Sequence, residues 1–172
     1  KLLMQLNYEI KDYAKAAEFG GRMQNPDAEA LSLLGRAQYL NGDHEGAVQT
    51  MDRTVAAARE AGIPLEEAWR QIQLSSYAQL KDMDGIAATI ERLAMEFPKK
   101  KYWEDYFRIA KRRPELDPRV AINIYRLMFD TGHMQEADDY VQIGRLAMRM
   151  GLPGEAVTAL EDGKKRNMFA EN

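Results

Sequence analysis

The chain has 172 residues, of which 45% are hydrophobic, a formal net charge of −3 at pH 7 and no cysteine. Without cysteine it has no disulfide, thiolate metal site or cysteine nucleophile, and its negative charge argues against binding to the phosphate backbone of nucleic acid. No apolar run approaches the roughly 18 residues of a membrane span, so we expect a soluble protein. Glycine and proline are scarce and helix-forming residues are abundant, which predicts an all-helical chain.

Turn-forming residues divide the chain into about ten predicted helices. In chain order, Asn25-Pro26-Asp27 follows the first pair of helices, Asn41-Gly42-Asp43 divides the second, and Gly62-Ile63-Pro64 precedes the third. Asp117-Pro118 begins a helix in the fourth pair, and Gly151-Leu152-Pro153 divides the fifth. The predicted pairs span about 1–24, 28–61, 65–97, 101–130 and 134–166, with a tail at 167–172. No segment has the composition of a flexible linker, so we predict a single domain over residues 1–172.

A repeat of small residues runs through these pairs. Its members, at intervals of 31, 38, 36 and 35 residues, are Ala16, Ala47, Gly85, Ala121 and Ala156. The segment Leu34-Gly35 recurs as Ile143-Gly144 at the same distance before its alanine, and Trp69 and Trp103 are 34 residues apart. A period near 34 residues is typical of stacked helix-turn-helix units, so the sequence predicts a solenoid.

Motif residues at this spacing resemble the tetratricopeptide repeat over nearly the whole chain. The matching positions are Leu34, Gly35 and Ala47 in the second pair, Trp69, Ile72, Gly85 and Pro98 in the third, and Tyr140, Ile143, Gly144 and Ala156 in the fifth. The resemblance implies an all-α, right-handed superhelical solenoid of about five helix-turn-helix repeats. Gln73 and Phe107 stand where the motif has its glycine, so looser packing is expected there.

Open edges are a property of such stacks, because each repeat buries its apolar face only against its neighbours. Gly35 and Gly144 are expected to let the helices of a pair approach closely, and Met51 and Leu160 to fill the space between pairs. The chain begins at Lys1 inside a predicted helix, so its first pair is expected to present a bare edge, as it would if a leader or earlier repeats preceded it in a longer protein. Stacking of such edges on other copies is an alternative, structural role.

The chain has few residues of the types and spacings that catalysis requires. The two histidines, His44 and His133, fall at predicted helix starts, where exposed polar side chains are ordinary. Three acidic pairs lie in the first or second turns of helices, where carboxylates complement the helix dipole. These are Glu66-Glu67, Glu104-Asp105 and Asp138-Asp139. The sequence has no phosphate-binding loop, nucleophile motif or metal-ligand spacing, so we predict a protein that is not an enzyme and uses no cofactor or metal.

Candidate partner-binding residues follow from the resemblance, because this family binds its partners with the first helices of the pairs. They are Tyr8, Arg36, Tyr39, Tyr77, Arg108, Lys111, Arg112, Arg145 and Arg149. Tyrosine offers a large face with a polar tip and arginine offers a forked donor, and both are enriched where proteins recognise partners. Two alternatives stay open: the tyrosines can be displaced copies of the motif's packing tyrosine, and the arginines can belong to a solvated face.

Positive charge is concentrated in the fourth pair. Residues 99–126 carry nine Lys or Arg against four Asp or Glu, whereas residues 1–98 and 127–172 are net acidic. The members of this basic band are Lys99, Lys100, Lys101, Arg108, Lys111, Arg112, Arg113, Arg119 and Arg126. Such a band can focus an acidic peptide or an anionic ligand, and a solvated charged face is the alternative.

These features predict a non-catalytic, bacterial-type scaffold that holds a protein or peptide segment, acidic in part, in the concave groove of the solenoid. Self-association through the terminal repeats and a ligand-sensing regulatory domain are the alternatives. Similar tandem-repeat proteins of Gram-negative bacteria are often exported, which favours the periplasm over the cytoplasm, although no residue pattern here identifies the compartment.

Overall fold

A computed structural model of the chain describes residues 1–112 and 116–169. Over these ranges the chain forms ten α-helices and no strand, two helices in each of the five predicted segments. The helices are α1 (Leu2–Glu9), α2 (Tyr13–Gly21), α3 (Ala28–Leu40), α4 (His44–Glu60), α5 (Glu67–Leu80), α6 (Met83–Glu96), α7 (Lys100–Lys111), α8 (Pro118–Asp130), α9 (Ala137–Arg149) and α10 (Pro153–Lys165). The predicted all-α repeat architecture is confirmed. None of the described helices is both long enough and apolar enough to cross a membrane.

Aspartate side chains start many of these helices. Each accepts a hydrogen bond from a backbone N–H of the first turn, which satisfies a donor that has no partner within the helix. These caps are Asp12, Asp27, Asp43, Asp82 and Asp117. Pro118 follows the last of them at the first helical position, where its missing N–H costs no hydrogen bond. Local chemistry therefore sets the helix boundaries that the sequence predicts.

The chain divides into two compact units, Lys1–Tyr102 and Trp103–Asn172, and the division falls within α7. Each unit is described by itself below. The single domain over residues 1–172 stays a prediction.

Within the first unit, each helix from α1 to α6 packs against the next along the chain. The first helices of successive pairs also touch, α1 against α3 and α3 against α5, and so form a row. Met4, Ala16 and Leu34 belong to the apolar core that joins the first pair to the second. Met51 and Trp69 belong to the core that joins the second pair to the third. Each pair thus completes the core of its neighbour.

Two glycines show how closely the helices of a pair approach in the first unit. A methyl group added to Gly35 of α3 would lie 2.7 Å from the terminal methyl of Met51 on α4. A methyl group added to Gly85 of α6 would overlap the ring of Tyr77 on α5. A methyl group at either position requires the facing side chain to move, because that side chain already fills the space.

The second unit has its main core around Phe107, Met128, Tyr140 and Ile143. In the last pair, a methyl group on Gly144 would lie 3.5 Å from Leu160, which is ordinary contact. The tail, predicted at 167–172, is described as far as residue 169, and residues 170–172 lie outside the described part. Phe169 packs edge to face on Tyr140, with ring centroids 6.1 Å apart.

Candidate functional site

An open groove crosses the first helices of the first unit. We call it the N-terminal groove; its volume is about 550 Å³. Its lining residues are Lys1, Gln5, Tyr8, Glu9, Ala28, Glu29, Ser32, Leu33, Arg36, Ile63, Glu66 and Trp69. Two of the predicted partner-binding residues, Tyr8 and Arg36, lie in it. Trp69 donates its indole N–H to the Ser32 hydroxyl at 2.9 Å, which fixes the floor of the groove where α3 meets α5.

Ion pairs line the rim of the N-terminal groove. The Lys1 ammonium contacts both Asp27 and Glu29, and these hydrogen bonds raise the pKa of Lys1. Arg36 lies 3.6 Å from the Glu66 carboxylate. Glu9 has no ion-pair partner among residues 1–112 and 116–169. These pairs are solvent-exposed and weak, so a partner can exchange its own charges for them at little cost.

The three predicted tyrosines occupy the same place in their pairs, against the start of the second helix. The Tyr8 ring lies 5.5 Å from that of Tyr13 at the start of α2. The Tyr39 ring lies 5.4 Å from His44 at the start of α4. Tyr77 packs on Gly85 near the start of α6, and burial, with nearby Asp52 and Asp82, raises its pKa. All three therefore pack within their own pairs, and Tyr8 alone of the three also lines the N-terminal groove.

A second cavity lies in the second unit. We call it the C-terminal cleft; its volume is about 500 Å³. Three predicted cations line it, Arg108, Lys111 and Arg112, together with the acidic residues Glu104, Asp105, Glu136 and Asp139. Arg145 and Arg149 are exposed on α9 and do not line it. The predicted arginine set is therefore only partly brought together.

Acidic side chains neutralise much of the basic band. Lys111 donates to the buried Asp139 at 2.7 Å and lies 3.7 Å from Glu136. Burial lowers the pKa of Lys111, but the hydrogen bond and charge of Asp139 outweigh it, and the net shift is upward. Asp139 also accepts from the backbone N–H of Glu136 at 3.2 Å, so it is both counter-ion and helix cap.

Some of the other members of the basic band are paired with acidic side chains and others are not. Arg108 pairs with Asp105, Lys99 with Glu67, and Arg126 with Glu155. Arg112, Arg119, Arg145 and Arg149 have no ion-pair partner in the described part of the chain. Arg113 lies outside the described residues. The net charge of residues 99–126 overstates the positive charge available to a ligand, because acidic residues from other helices pair with several of its members.

Sequence reasoning missed the environment of His133. The residue is half-buried rather than exposed, and its ring lies 5.3 Å from that of Phe107 in the wall of the C-terminal cleft. Its Nδ1 lies 2.9 Å from the Thr131 hydroxyl, and its buried Nε2 has no hydrogen-bond partner. In the sequence, a histidine that follows a glycine turn does not indicate that its ring packs against an aromatic residue. No group of three or more His, Cys, Asp or Glu is placed to hold a metal within the described ranges.

A buried polar network between α4, α5 and α6 was also missed. Arg70 donates two hydrogen bonds to Glu96, each 2.8 Å long, and a third of 2.8 Å to Gln73. The Gln73 amide donates to Asp52 at 2.8 Å. The available signal was the helical spacing of Trp69, Arg70 and Gln73, which places two polar residues on a buried face. Each donor has an acceptor, so a structural role is enough to explain why these polar residues are buried.

No protein-family model and no curated protein matches the chain. Among solved structures, a chain described as MamA MSR-1 C2 matches with a TM-score of 0.43 and 14% identity, covering 96% of this chain and 92% of that one. A crystal structure of BtubC (BKLC) from P. vanneervenii matches with a TM-score of 0.41 and 13% identity, covering 99% of this chain and 80% of that one. Both TM-scores are below 0.5, so no function is inferred from either match.

Proposed function

We propose that the chain is a non-catalytic scaffold that holds a segment of a partner protein in the N-terminal groove. The observation that carries the proposal is the row formed by α1, α3 and α5, which leaves an open groove instead of a closed pocket. A groove that crosses three helices suits an extended or helical segment better than a small molecule, which is usually enclosed.

The lining residues support a polypeptide partner. Tyr8, Leu33 and Ile63 offer apolar surface, and Arg36 and Glu66 offer charged groups of both signs beside it. Aromatic and arginine side chains at the centre of a concave surface are typical of protein recognition. With Lys1 and Arg36 against Glu9, Glu29 and Glu66, the groove itself is close to neutral and does not favour a strongly acidic segment.

In this proposal, acidic residues of the partner bind to the second unit. Arg112, Arg145 and Arg149 are exposed and have no ion-pair partner among the described residues. Free guanidinium groups of this kind recognise carboxylates through charge-assisted hydrogen bonds. A periplasmic location, expected from the family resemblance, also remains part of the proposal.

Site-specific photocrosslinking in the native cell tests the groove. A benzophenone amino acid replaces Arg36 in the groove or, as the matched control, Arg53, an exposed arginine of α4 outside it. We expect a defined adduct from position 36 and none from position 53, because only a bound segment stays near the groove. The same adducts from both positions, or none from position 36, would contradict the proposal.

A further inference from the structure

A small pocket lies between the second helices of the last two pairs, α8 and α10. We call it the α8–α10 pocket; its volume is about 230 Å³. Among the described residues, none that lines it also lines the N-terminal groove or the C-terminal cleft, so it is a separate feature of the second unit. Its lining includes three apolar and three charged side chains, which are Phe129, Ile143, Ala159, Arg126, Asp130 and Glu155.

The apolar side chains form the floor of the α8–α10 pocket. Ile143 and Ala159 are each 2% exposed, and Phe129 is half-buried beside them. One wall is an ion pair, in which Arg126 donates two hydrogen bonds of 2.7 Å to the two carboxylate oxygens of Glu155. The two charged groups of this wall satisfy each other, so what the pocket offers a ligand inside it is mainly apolar surface.

The repeat shows how the fifth pair differs from the third at this place. Arg126 and Asp52 both stand five residues after the repeated small residue of their helix, and Gly144 and Gln73 both stand at the motif glycine position. In the third pair, the buried Gln73 donates its amide N–H to Asp52 at 2.8 Å. Gly144 has no side chain that can reach Arg126 in this way, and Arg126 pairs with Glu155 of α10 instead.

The size and charge of the α8–α10 pocket indicate what fits it. Its volume of about 230 Å³ is below the roughly 300–1,000 Å³ of small-molecule sites, but it is enough for one large apolar side chain. In protein interfaces, a side chain anchored in a pocket of this kind contributes much of the binding energy. Asp130 is exposed and has no ion-pair partner within residues 1–112 and 116–169, so it favours a cation beside the inserted side chain.

We propose that the α8–α10 pocket receives one large apolar side chain of a partner protein, a Leu, Met or Phe, and that a neighbouring Lys or Arg of the partner pairs with Asp130. Burial of the inserted side chain against Phe129, Ile143 and Ala159 supplies the attraction. The charge of Asp130 selects basic over acidic partner segments. The pocket is separate from the N-terminal groove, so this inference does not depend on the proposed function.

Methyl NMR of purified residues 1–172 tests the proposal, with capped tripeptides as probes. Lys-Leu-Lys and Lys-Phe-Lys carry the proposed groups, Lys-Ala-Lys lacks the large side chain, and Glu-Phe-Glu reverses the charge. We expect the first two to shift the methyl resonances of Ile143 and Ala159, and Lys-Ala-Lys at the same concentration to leave them unchanged. At low ionic strength Glu-Phe-Glu should bind about two- to fivefold more weakly than Lys-Phe-Lys.

Asp130→Lys tests the role of the charge in a variant that keeps the apolar floor. Its affinity for Lys-Phe-Lys should fall about two- to fivefold, and its affinity for Glu-Phe-Glu should rise. Glu161→Lys is the matched control, because Glu161 is an exposed acidic residue of α10 outside the pocket. This control makes the same change in net charge and should leave both affinities nearly unchanged.

Four results would overturn the proposal. Two concern the apolar side chain: no methyl shift with either Lys-Leu-Lys or Lys-Phe-Lys, or equal shifts with Lys-Ala-Lys. The third is an equal loss of affinity in Asp130→Lys and Glu161→Lys, which would mean that net charge alone attracts the peptide. The fourth is a shift confined to the methyl groups of Ile63, which would place the peptide in the N-terminal groove and not in the α8–α10 pocket.

Discussion

At the scale of single residues, the buried charges depend on their partners. Arg70 is almost fully buried, and Glu96 meets it with both carboxylate oxygens while also accepting from Arg59 at 2.8 Å. The hydrogen bonds of Arg70 lower the pKa of Glu96 more than burial raises it, and the charges of Arg70 and Arg59 add to that lowering. A buried guanidinium without this carboxylate would keep its desolvation cost and lose the attraction.

Replacing Glu96 by Gln tests this linkage. We expect a loss of about 3 kcal/mol in the free energy of unfolding near neutral pH, because Arg70 loses its charged partner. The folded pKa of Glu96 lies below its ordinary value of 4.5, so its contribution is complete above that pH and is lost as the pH falls through the lowered pKa. Urea unfolding between about pH 7 and pH 3 should therefore show a weaker acid dependence in the variant.

Glu91→Gln is the matched control for this prediction. Glu91 also lies in α6, but it is exposed and has no ion-pair partner in the described part of the chain. Its replacement should change the free energy of unfolding by less than about 0.5 kcal/mol. An equal loss in both variants, or an unchanged acid dependence in Glu96→Gln, would show that the pairing with Arg70 contributes little.

At the scale of helices, the close approach within a pair depends on which side chain faces the glycine. Gly85 faces the flat ring of Tyr77, which also packs within the third pair. Gly35 faces the terminal methyl of Met51, a flexible group that can turn aside. Gly21, at the end of α2, faces nothing within 4 Å. The same added methyl group therefore has three different environments.

Three Gly→Ala variants separate these environments. We expect Gly85→Ala to destabilise the fold by about 1–3 kcal/mol, because the ring of Tyr77 has to move. Gly35→Ala should cost less, and Gly21→Ala should be neutral or slightly stabilising, because alanine favours helix. Denaturant unfolding of the three variants measures the order. A loss in Gly21→Ala as large as that in Gly85→Ala would show that helix–helix approach is not the cause.

At the scale of the whole molecule, the division into two compact units bears on how far a local loss of stability spreads along the chain. Stability in helical repeats is close to a sum of terms within and between neighbours. The Arg70 network lies wholly in Lys1–Tyr102, and the Lys111–Asp139 ion pair lies wholly in Trp103–Asn172. Disruption of either is expected to act mainly within its own unit.

Hydrogen exchange followed by mass spectrometry tests this expectation. Glu96→Gln should speed exchange in α4, α5 and α6 and leave α9 and α10 unchanged. Asp139→Asn, which leaves Lys111 without its buried counter-ion, should speed exchange in α7 and α9 and leave α1 to α4 unchanged. Faster exchange along the entire chain in both variants would instead support the single domain predicted from the sequence.

The sequence by itself determined the helices and their repeat. Helix boundaries depend on local chemistry, such as the cap of Asp117 followed by Pro118. The repeat is visible because small residues recur at intervals of 31 to 38 residues along the chain. It also placed Tyr8 and Arg36 on first helices, which the structure brings into one groove. These features involve residues that are close in sequence or that recur at similar intervals, so a sequence pattern is enough to find them.

Tertiary structure alone decided which charges are free and which faces are covered. Gln73, where looser packing was expected, is fully buried and bonded to Arg70 and Asp52, and Lys111 is paired with Asp139. In each case the outcome depends on a side chain from another helix, because pairing and burial are set by distance in space.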